Sequence, residues 1–495
     1  MNNTYPGGTV GRDDPRFDTL RRGFNLRWVG NPDEIAVPGN AEQVRDVVQR
    51  AVDGGRRVTV RSGGHCYEDF AVGNEGGVIV DMAAMAGTYF DPARGAYCVE
   101  AGTTLWNVIW TLYKLYDRAL PTGSCYSVGA GGHISGGGYG LLARKYGLIV
   151  DWLDAVEIVT VDADGQARIT VAEKHGEAAD LLWACQGGGG GNYGIITRFW
   201  FRDLPPAPAE ALLVNIAWDW EDMEQEEFAE IVRRYGDFLK RNSAPGGPYD
   251  GLFALLHLTH RTFIPELPTV ATGQIVLTAQ YVGDEPGRLG EFTDFMTATG
   301  VRAPVAQRAP VGLNFFPHPT KAPQTLPWLY ATQSIDGSGP NRRGKYKSAY
   351  MKEPFPEAQI ATMWRFLTDD LENGQALLQV DSYGGAVNAV ASDATAIPQR
   401  SSIMKLQYQA YWTDPADGEA NLAWIRAFYE EMYGPAGPVP DGVMDGCYVN
   451  YPDVDLIDWQ HLYYQGSYGR LQQAKAAWDP LDVFNHAQSV ELPCE

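Results

Sequence analysis

Arg61-Ser62-Gly63-Gly64-His65, and Gly123-Ser124-Cys125 running on to Gly129-Ala130-Gly131-Gly132-His133-Ile134-Ser135-Gly136-Gly137-Gly138-Tyr139-Gly140, are the stretches on which the reading of this chain turns. Glycine reaches positive φ cheaply and puts no Cβ between main-chain N–H groups and a ligand, so loops of this composition are where a backbone wraps a diphosphate. Each loop also carries a nucleophile. Imidazole and thiolate are the side chains best able to add to an electron-poor ring and stay attached. Either loop alone reads equally as a glycine turn beside a buried histidine or a structural cysteine; the two together favour a ligand held at two points.

A third cluster, Gln186-Gly187-Gly188-Gly189-Gly190-Gly191-Asn192-Tyr193-Gly194-Ile195-Ile196-Thr197, follows Asp180-Leu181-Leu182-Trp183-Ala184. Five consecutive glycines form neither helix nor strand, so this is a loop. It reads as a flexible linker or, from the apolar residues on each side, as a ligand loop. None of the three clusters fits G-x-G-x-x-G with strand, helix and acidic residue in place, so a nicotinamide dinucleotide is not indicated.

The 495 residues exceed one comfortable hydrophobic core, so two or more folded regions are expected, with a ligand site favoured where they meet. A net charge of −22, with 39 scattered basic residues, argues against a nucleic-acid surface. The six cysteines lie far apart and the eight histidines form no ligand cluster, so neither a metal nor a disulfide framework is expected. No basic region followed by an apolar run opens the chain and no stretch approaches a membrane span, so a cytoplasmic protein without membrane attachment is expected.

Outward from the glycine loops, Ala41 to Asp53 places Val44, Val47, Val48 and Ala51 at helical spacing and feeds the β run Val58-Thr59-Val60. Gly77 to Asp81 and Ala96 to Gly102 read as strands, and Thr104 to Leu115 as a helix capped by Thr103 or Thr104. Leu204-Pro205-Pro206-Ala207-Pro208 marks a boundary. Beyond it, strands at 211–218, 273–282 and 403–412 alternate with helices at 221–241, 286–299 and 415–433, which suggests one antiparallel sheet covered on one face. In the last of these strands, a period of two puts Gln407, Gln409 and Tyr411 on one face.

Arg61 to His65, Cys125 to Gly140 and the run Asp479-Pro480-Leu481-Asp482-Val483-Phe484-Asn485-His486-Ala487-Gln488-Ser489 resemble the berberine-bridge-enzyme-like branch of the FAD-linked oxidases related to vanillyl-alcohol oxidase, nearly end to end. The resemblance implies an α+β, two-domain fold of the vanillyl-alcohol-oxidase type. An FAD-binding domain would span 1–205 and 447–495, and a substrate domain with an antiparallel sheet covered by helices 206–446. It implies FAD attached bicovalently, His65 to the 8α carbon and Cys125 through sulfur to C6. Arg61, Ser62, Gly63, Gly64, Val128, Gly129, Gly132, His133, Gly138, Gly191, Ile195 and Asn485 would complete the cofactor site, with Val128 governing oxygen access. Tyr-x-Asn-Tyr at 448–451 implies Tyr451 as base and Tyr448 as support or alternative, and Tyr383 is a weaker candidate to orient substrate.

Gln407 stands where alkaloid-bridging members have a glutamate base. An amide takes no proton, so this departure favours alcohol or hemiacetal oxidation over ring closure. Tyr126-Ser127 departs from the Pro-Thr common after the cysteine. The expected activity is an FAD-dependent, peroxide-releasing oxidase of a bulky secondary alcohol, hemiacetal or sugar hydroxyl, of the kind that serves antibiotic biosynthesis. The alternatives are an oligosaccharide or hexose oxidase and oxidative cyclisation of a phenol. Partners would be a bulky small molecule and O2, with Trp218, Trp220, Trp328, Tyr411 and Trp412 as possible platforms, in a monomer or homodimer.

Overall fold

The structure is a computed structural model and describes residues 6–494 apart from 263–272, 299, 301, 306–322, 336, 338 and 372–374. Two sheets form the N-terminal part. The first contains β1 (Gly8–Gly11), β2 (Glu34–Val37), β3 (Val58–Arg61) and β4 (Val78–Asp81) in the order β1-β2-β4-β3, with β2, β4 and β3 parallel. The second contains β5 (Thr88–Asp91), β6 (Ala96–Glu100), β7 (Leu153–Val161), β8 (Ala167–Glu173) and β9 (Ile195–Phe201) in the antiparallel order β5-β6-β9-β7-β8.

The helix Ala41–Asp53 joins the two sheets. Asn40 caps it by accepting the Gln43 N–H at 2.9 Å, a cap worth about 1 kcal/mol. Its apolar stripe, Val44, Val47, Val48 and Ala51, is buried against β4 on one side and β7 and β8 on the other. The second expected helix runs Leu105–Tyr116 with Thr104 as its cap. Both helices thus stand where their periodicity put them.

The middle of the chain forms a seven-stranded, wholly antiparallel sheet: β10 (Glu210–Asp219), β11 (Leu252–Thr259), β12 (Gln274–Tyr281), β13 (Gln324–Pro327), β14 (Arg343–Met351), β15 (Gln375–Ser382) and β16 (Met404–Trp412). Their order is β13-β10-β12-β11-β15-β16-β14. Helices Gln225–Arg241, Gly287–Met296, Glu357–Leu367 and Gly418–Tyr433 cover one face, where Tyr408 and Val380 join the main core. The expected helix at 286–299 is shorter, and residue 299 lies outside the described residues. The opposite face carries Phe253, Leu255, Gln379, Asp381, Gln407, Gln409 and Tyr411, with Gln379 directly opposite Gln407 and Asp381 opposite Lys405.

After β16 the chain returns through Trp459–Tyr464 and Tyr468–Trp478, the latter packing on the helix Ala179–Cys185 beside the third glycine cluster. One expectation is corrected here. Ala130–Ser135, inside the glycine-rich stretch, is a short helix rather than loop, and the lack of a side chain at Gly131 lets it lie close against Ser62 and Ala101. Among the described residues no helix is long and apolar enough to cross a membrane.

Candidate active site

A cavity of about 380 Å³ lies where the glycine loops, the bare face of the seven-stranded sheet and the C-terminal segment meet. Its loop side is built from main chain. A side-chain carbon on Gly63 would run into Gly129 N, and one on Gly129 into Gly63 N and Ser62 Oγ, so only glycine at both positions lets the two loops touch. One acceptor ties them together: Ser62 Oγ–H and the Gly131 N–H donate to Ala101 O at 2.6 and 3.0 Å.

The two expected nucleophiles both line this cavity. His65 stacks on Phe24, with ring centroids 4.0 Å apart, and its Nε2 lies 2.9 Å from Ser127 Oγ, two residues past Cys125. No disulfide joins any pair among the described residues. Burial pushes the Cys66 and Cys447 thiols up to about 12, which disfavours their thiolates; Cys125, like Cys66, is half-buried.

His133 holds the cysteine loop from behind. The Gly123 N–H donates to its Nε2 at 3.1 Å, so that nitrogen carries no proton, and burial, then Lys405, pushes the ring's pKa down to about 4. Its carbonyl accepts from Asn450 Nδ2 at 3.0 Å, which joins the loop to the 448–451 segment. The third glycine loop is held from the C-terminal side. Lys475 Nζ, wholly buried, donates to Asn192 O and Phe484 O at 2.8 and 2.7 Å and pairs with Asp479 and Asp482, while the Val490 N–H donates to Asn192 Oδ1.

The sheet side is built from side chains. Lys405 Nζ donates to Tyr451 Oη at 3.0 Å, pairs with Asp381 Oδ2 at 2.5 Å and sits 4.4 Å from the Tyr451 ring centroid. Asp381 Oδ1 accepts from Gln379 Nε2 at 2.6 Å. Burial, and next the Asp381 carboxylate, push the Tyr451 phenol well above its ordinary range; among the groups around its oxygen, Lys405 favours the phenolate. Tyr448 meets Tyr451 edge-on at 5.0 Å, and its hydroxyl accepts from Asn450 Nδ2. Gln407 Nε2 donates to the Tyr67 hydroxyl at 2.6 Å, Gln409 Nε2 donates to Gln407 Oε1 at 3.2 Å, and the Tyr411 hydroxyl donates to Gln409 Oε1. Apart from the paired Asp381 and Lys405, this wall offers amides and phenols to whatever binds.

A buried charge cluster joins the two sides. Lys345 on β14 pairs with Glu68 at 2.5 Å, three residues past His65, and with Asp453 at 2.6 Å, two residues past Tyr451. Lys347 pairs with Asp453 at 2.7 Å and Asp455 at 3.0 Å. Each charge here is compensated by a partner, which is what makes ions this deeply buried tolerable.

Of the expected site residues, Arg61, Ser62, Gly63, Gly64, His65, Cys125, Val128, Gly129, Gly132, His133, Gly191, Asn485, Gln407, Tyr448 and Tyr451 line the cavity. Arg61 does so with its main chain, since its guanidinium turns inward to Asp81 and the carbonyls of Leu20 and Arg22. Three do not reach it. Tyr383 lies past the end of β15, where Gly384 at φ 91° turns the chain, and its wholly buried ring packs on Tyr139 and Tyr350 with the hydroxyl donating to Gln399 O. Gly138, at φ 73°, is pressed against Ile149. Ile195 points into the core, and strand alternation gives the cavity Ile196 instead.

Of the aromatic platforms only Tyr411 lines the cavity. Trp218, Trp220 and Trp328 are buried in the cores, and Trp412 stands apart from the site. Sequence reading missed Lys405, Asp381 and Tyr67. The first was within reach, since the period that groups Gln407 with Gln409 also includes Lys405.

Residues 32–170 match the model of the FAD binding domain, and residues 447–491 that of the berberine and berberine-like family. The aclacinomycin-N/aclacinomycin-A oxidase of Streptomyces galilaeus is 42% identical over 98% of this chain and 90% of its own length. The chain belongs to the berberine-bridge-enzyme-like FAD-linked oxidases. The hexose oxidase of Chondrus crispus is 38% identical over 98% of this oxidase and 94% of its own length. The crystal structure of the glycopeptide hexose oxidase DBV29 complexed with teicoplanin superposes with a TM-score of 0.88, at 36% identity, covering 98% of this chain and 99% of that one.

This berberine-bridge-enzyme-like protein is therefore an FAD-dependent oxidoreductase acting on CH–OH groups with oxygen as acceptor. Its fold is the two-domain α+β fold of the vanillyl-alcohol oxidases, with an FAD-binding domain and a substrate domain. FAD fits the residues present: glycine main chain that a Cβ would block makes one wall, and a half-buried thiol and an imidazole line the same space.

Proposed function

We propose that this oxidase takes a bulky secondary alcohol, cyclic hemiacetal or sugar hydroxyl on a glycosylated or polyketide natural product to the ketone or lactone. Tyr451 acts as base, and FAD is held covalently by His65 and Cys125. The observation that carries the reading is Tyr451, which lines the cavity between the main-chain wall and the amide wall and whose phenol oxygen has Lys405 Nζ at 3.0 Å. FAD, held by His65 and Cys125, would supply a two-electron acceptor for the carbinol hydride, with O2 as final oxidant and H2O2 as its product.

Tyr451 takes the hydroxyl proton as the hydride leaves, and Lys405 stabilises the phenolate this requires. Gln407 and Gln409 bind neutral hydroxyls, and Tyr448 steadies the Tyr451 ring. Val128, on the cavity wall, leaves room for oxygen. Two of the relatives are hexose oxidases by name, which supports a sugar hydroxyl. Residues 206–446 would form the substrate domain and 1–205 with 447–495 the FAD domain, in a cytoplasmic monomer or homodimer.

Intact mass and visible absorbance after acid denaturation test the attachment. FAD should stay with the wild type and with His65→Ala and Cys125→Ala singly, and leave the double variant; release from the wild type would end the covalent assignment. Anaerobic flavin bleaching, with simple sugars set against phenols, tests the chemistry. Bleaching by phenols alone would favour oxidative cyclisation. With a substrate that bleaches the wild type, Tyr451→Phe should slow reduction by about 10²–10⁴-fold.

A further inference from the structure

We propose that Asp381 is a positioning residue for the base Tyr451: it holds Lys405 behind the phenol and cancels its charge, so that the phenol loses its proton at a higher pH than Lys405 alone would set. The inference rests on the assignment of Tyr451 as base.

The pleat fixes the arrangement. Asp381 on β15 lies directly opposite Lys405 on β16, so both side chains leave the sheet on the same face. Both are shielded from water, at 2% and 0% exposure, so neither charge is screened. Asp381 is held from both oxygens, Oδ1 by Gln379 Nε2 and Oδ2 by Lys405, and the ammonium has only a short reach left to Tyr451 Oη.

The groups facing this cluster come from several elements: His257 on β11 lies 3.1 Å from Gln379 Oε1 through its Nε2, and Tyr235 on the helix Gln225–Arg241 also lies within the field of Asp381. Tyr448 lies on the C-terminal segment, Tyr139 and His133 belong to the stretch around the short helix, and Tyr67 follows β3. Cys125 lies on its own loop, Tyr411 on β16, and Tyr350 reaches Tyr448 from β14. Apart from the cysteine, these are phenols and imidazoles. Asp381 and Lys405 are the paired formal charges in this set, and next to burial they bear most directly on the protonation of Tyr451.

Taking away the carboxylate leaves an unbalanced ammonium 3.0 Å from the phenol oxygen. An opposite charge at such range moves a titration by about 1–3 units towards the ionised form. Asp381 stands next to burial among the causes that raise the Tyr451 phenol, in agreement with the geometry.

FAD-loaded protein labelled with 13Cζ-tyrosine tests this directly, with the Tyr451 resonance identified by its loss in Tyr451→Phe. Its titration midpoint should fall by about 1–2 units in Asp381→Asn, rise in Lys405→Met and stay near wild type in Asp381→Glu. Opposite displacements in the two neutralising variants are not what a general loosening of the site produces. Should Asp381→Asn not hold flavin, Asp381→Ala carries the same expectation. An unchanged or higher midpoint in the neutral Asp381 variants, or no titration of Tyr451 in either, overturns the proposal. Undiminished substrate-driven flavin reduction in Tyr451→Phe would instead overturn the base assignment and leave the titration result standing.

Discussion

The two walls of the cavity are made of different material. The loop wall presents main chain, and its essential residues are those that lack a side chain, Gly63 and Gly129, which touch because neither has a Cβ. The sheet wall presents side chains, Lys405, Asp381, Gln407, Gln409 and Tyr451, whose positions are set by strand pairing and by a mesh of hydrogen bonds. A main-chain wall tolerates almost no substitution and suits an invariable cofactor. A side-chain wall changes its chemistry one residue at a time and suits a variable substrate.

That contrast is breakable by experiment. The largest effect belongs to Gly129→Val, where added carbon meets the Gly63 backbone as well as Ser62 Oγ, so the cost should exceed the roughly 1–3 kcal/mol of ordinary overpacking. The purified variant should carry little or no flavin, and wild-type flavin content would show that the loops need not touch. Next comes the seam between the walls. Lys345→Met leaves Glu68 short of its cation and Asp453 with one of two, and should cost about 3–5 kcal/mol in a denaturant titration. A loss under 1 kcal/mol would mean that the charges relax independently of each other.

His133 gives a slightly smaller effect with a definite pH sign. Its folded pKa, about 4, lies below the ordinary 6.5, so the fold favours the neutral ring. The stability this confers is complete above pH 6.5 and is lost as pH falls through about 4, a swing of about 3 kcal/mol. Wild type should therefore lose about that much more stability than His133→Asn between pH 7 and pH 4, while His486, also pushed down to about 4, contributes equally to both. Parallel losses would remove the histidine from the loop's support. The smallest effect is on the sheet wall itself: Gln407→Leu should weaken substrate binding by about tenfold or less, seen in KM more than in kcat.

The same contrast explains what was legible in the sequence. The glycine loops announce themselves because no other residue serves there, and the helix at Ala41–Asp53 because its apolar period survives in one dimension. The sheet wall was half legible. Alternation grouped Gln407, Gln409 and Tyr411 correctly, yet Asp381 was passed over for its neighbour Tyr383, because that Asp381 faces Lys405 depends on which residues of two distant strands pair. Ile195 was taken in place of Ile196 for a related reason: nothing local says which face of β9 looks inward. The tryptophans misled because size and aromaticity suit a core as well as a platform.

The Lys475 clasp carries a consequence for how the enzyme is made. The carbonyl of Asn192 is held by a lysine 283 residues further along, and its side chain by the N–H of Val490. During synthesis the third glycine loop therefore emerges long before anything can fasten it, and the complete cradle exists only when the C-terminal segment has left the ribosome. Cofactor loading is thereby placed among the last events of biogenesis, and ribosome-stalled chains ending before Lys475 should fail to retain FAD.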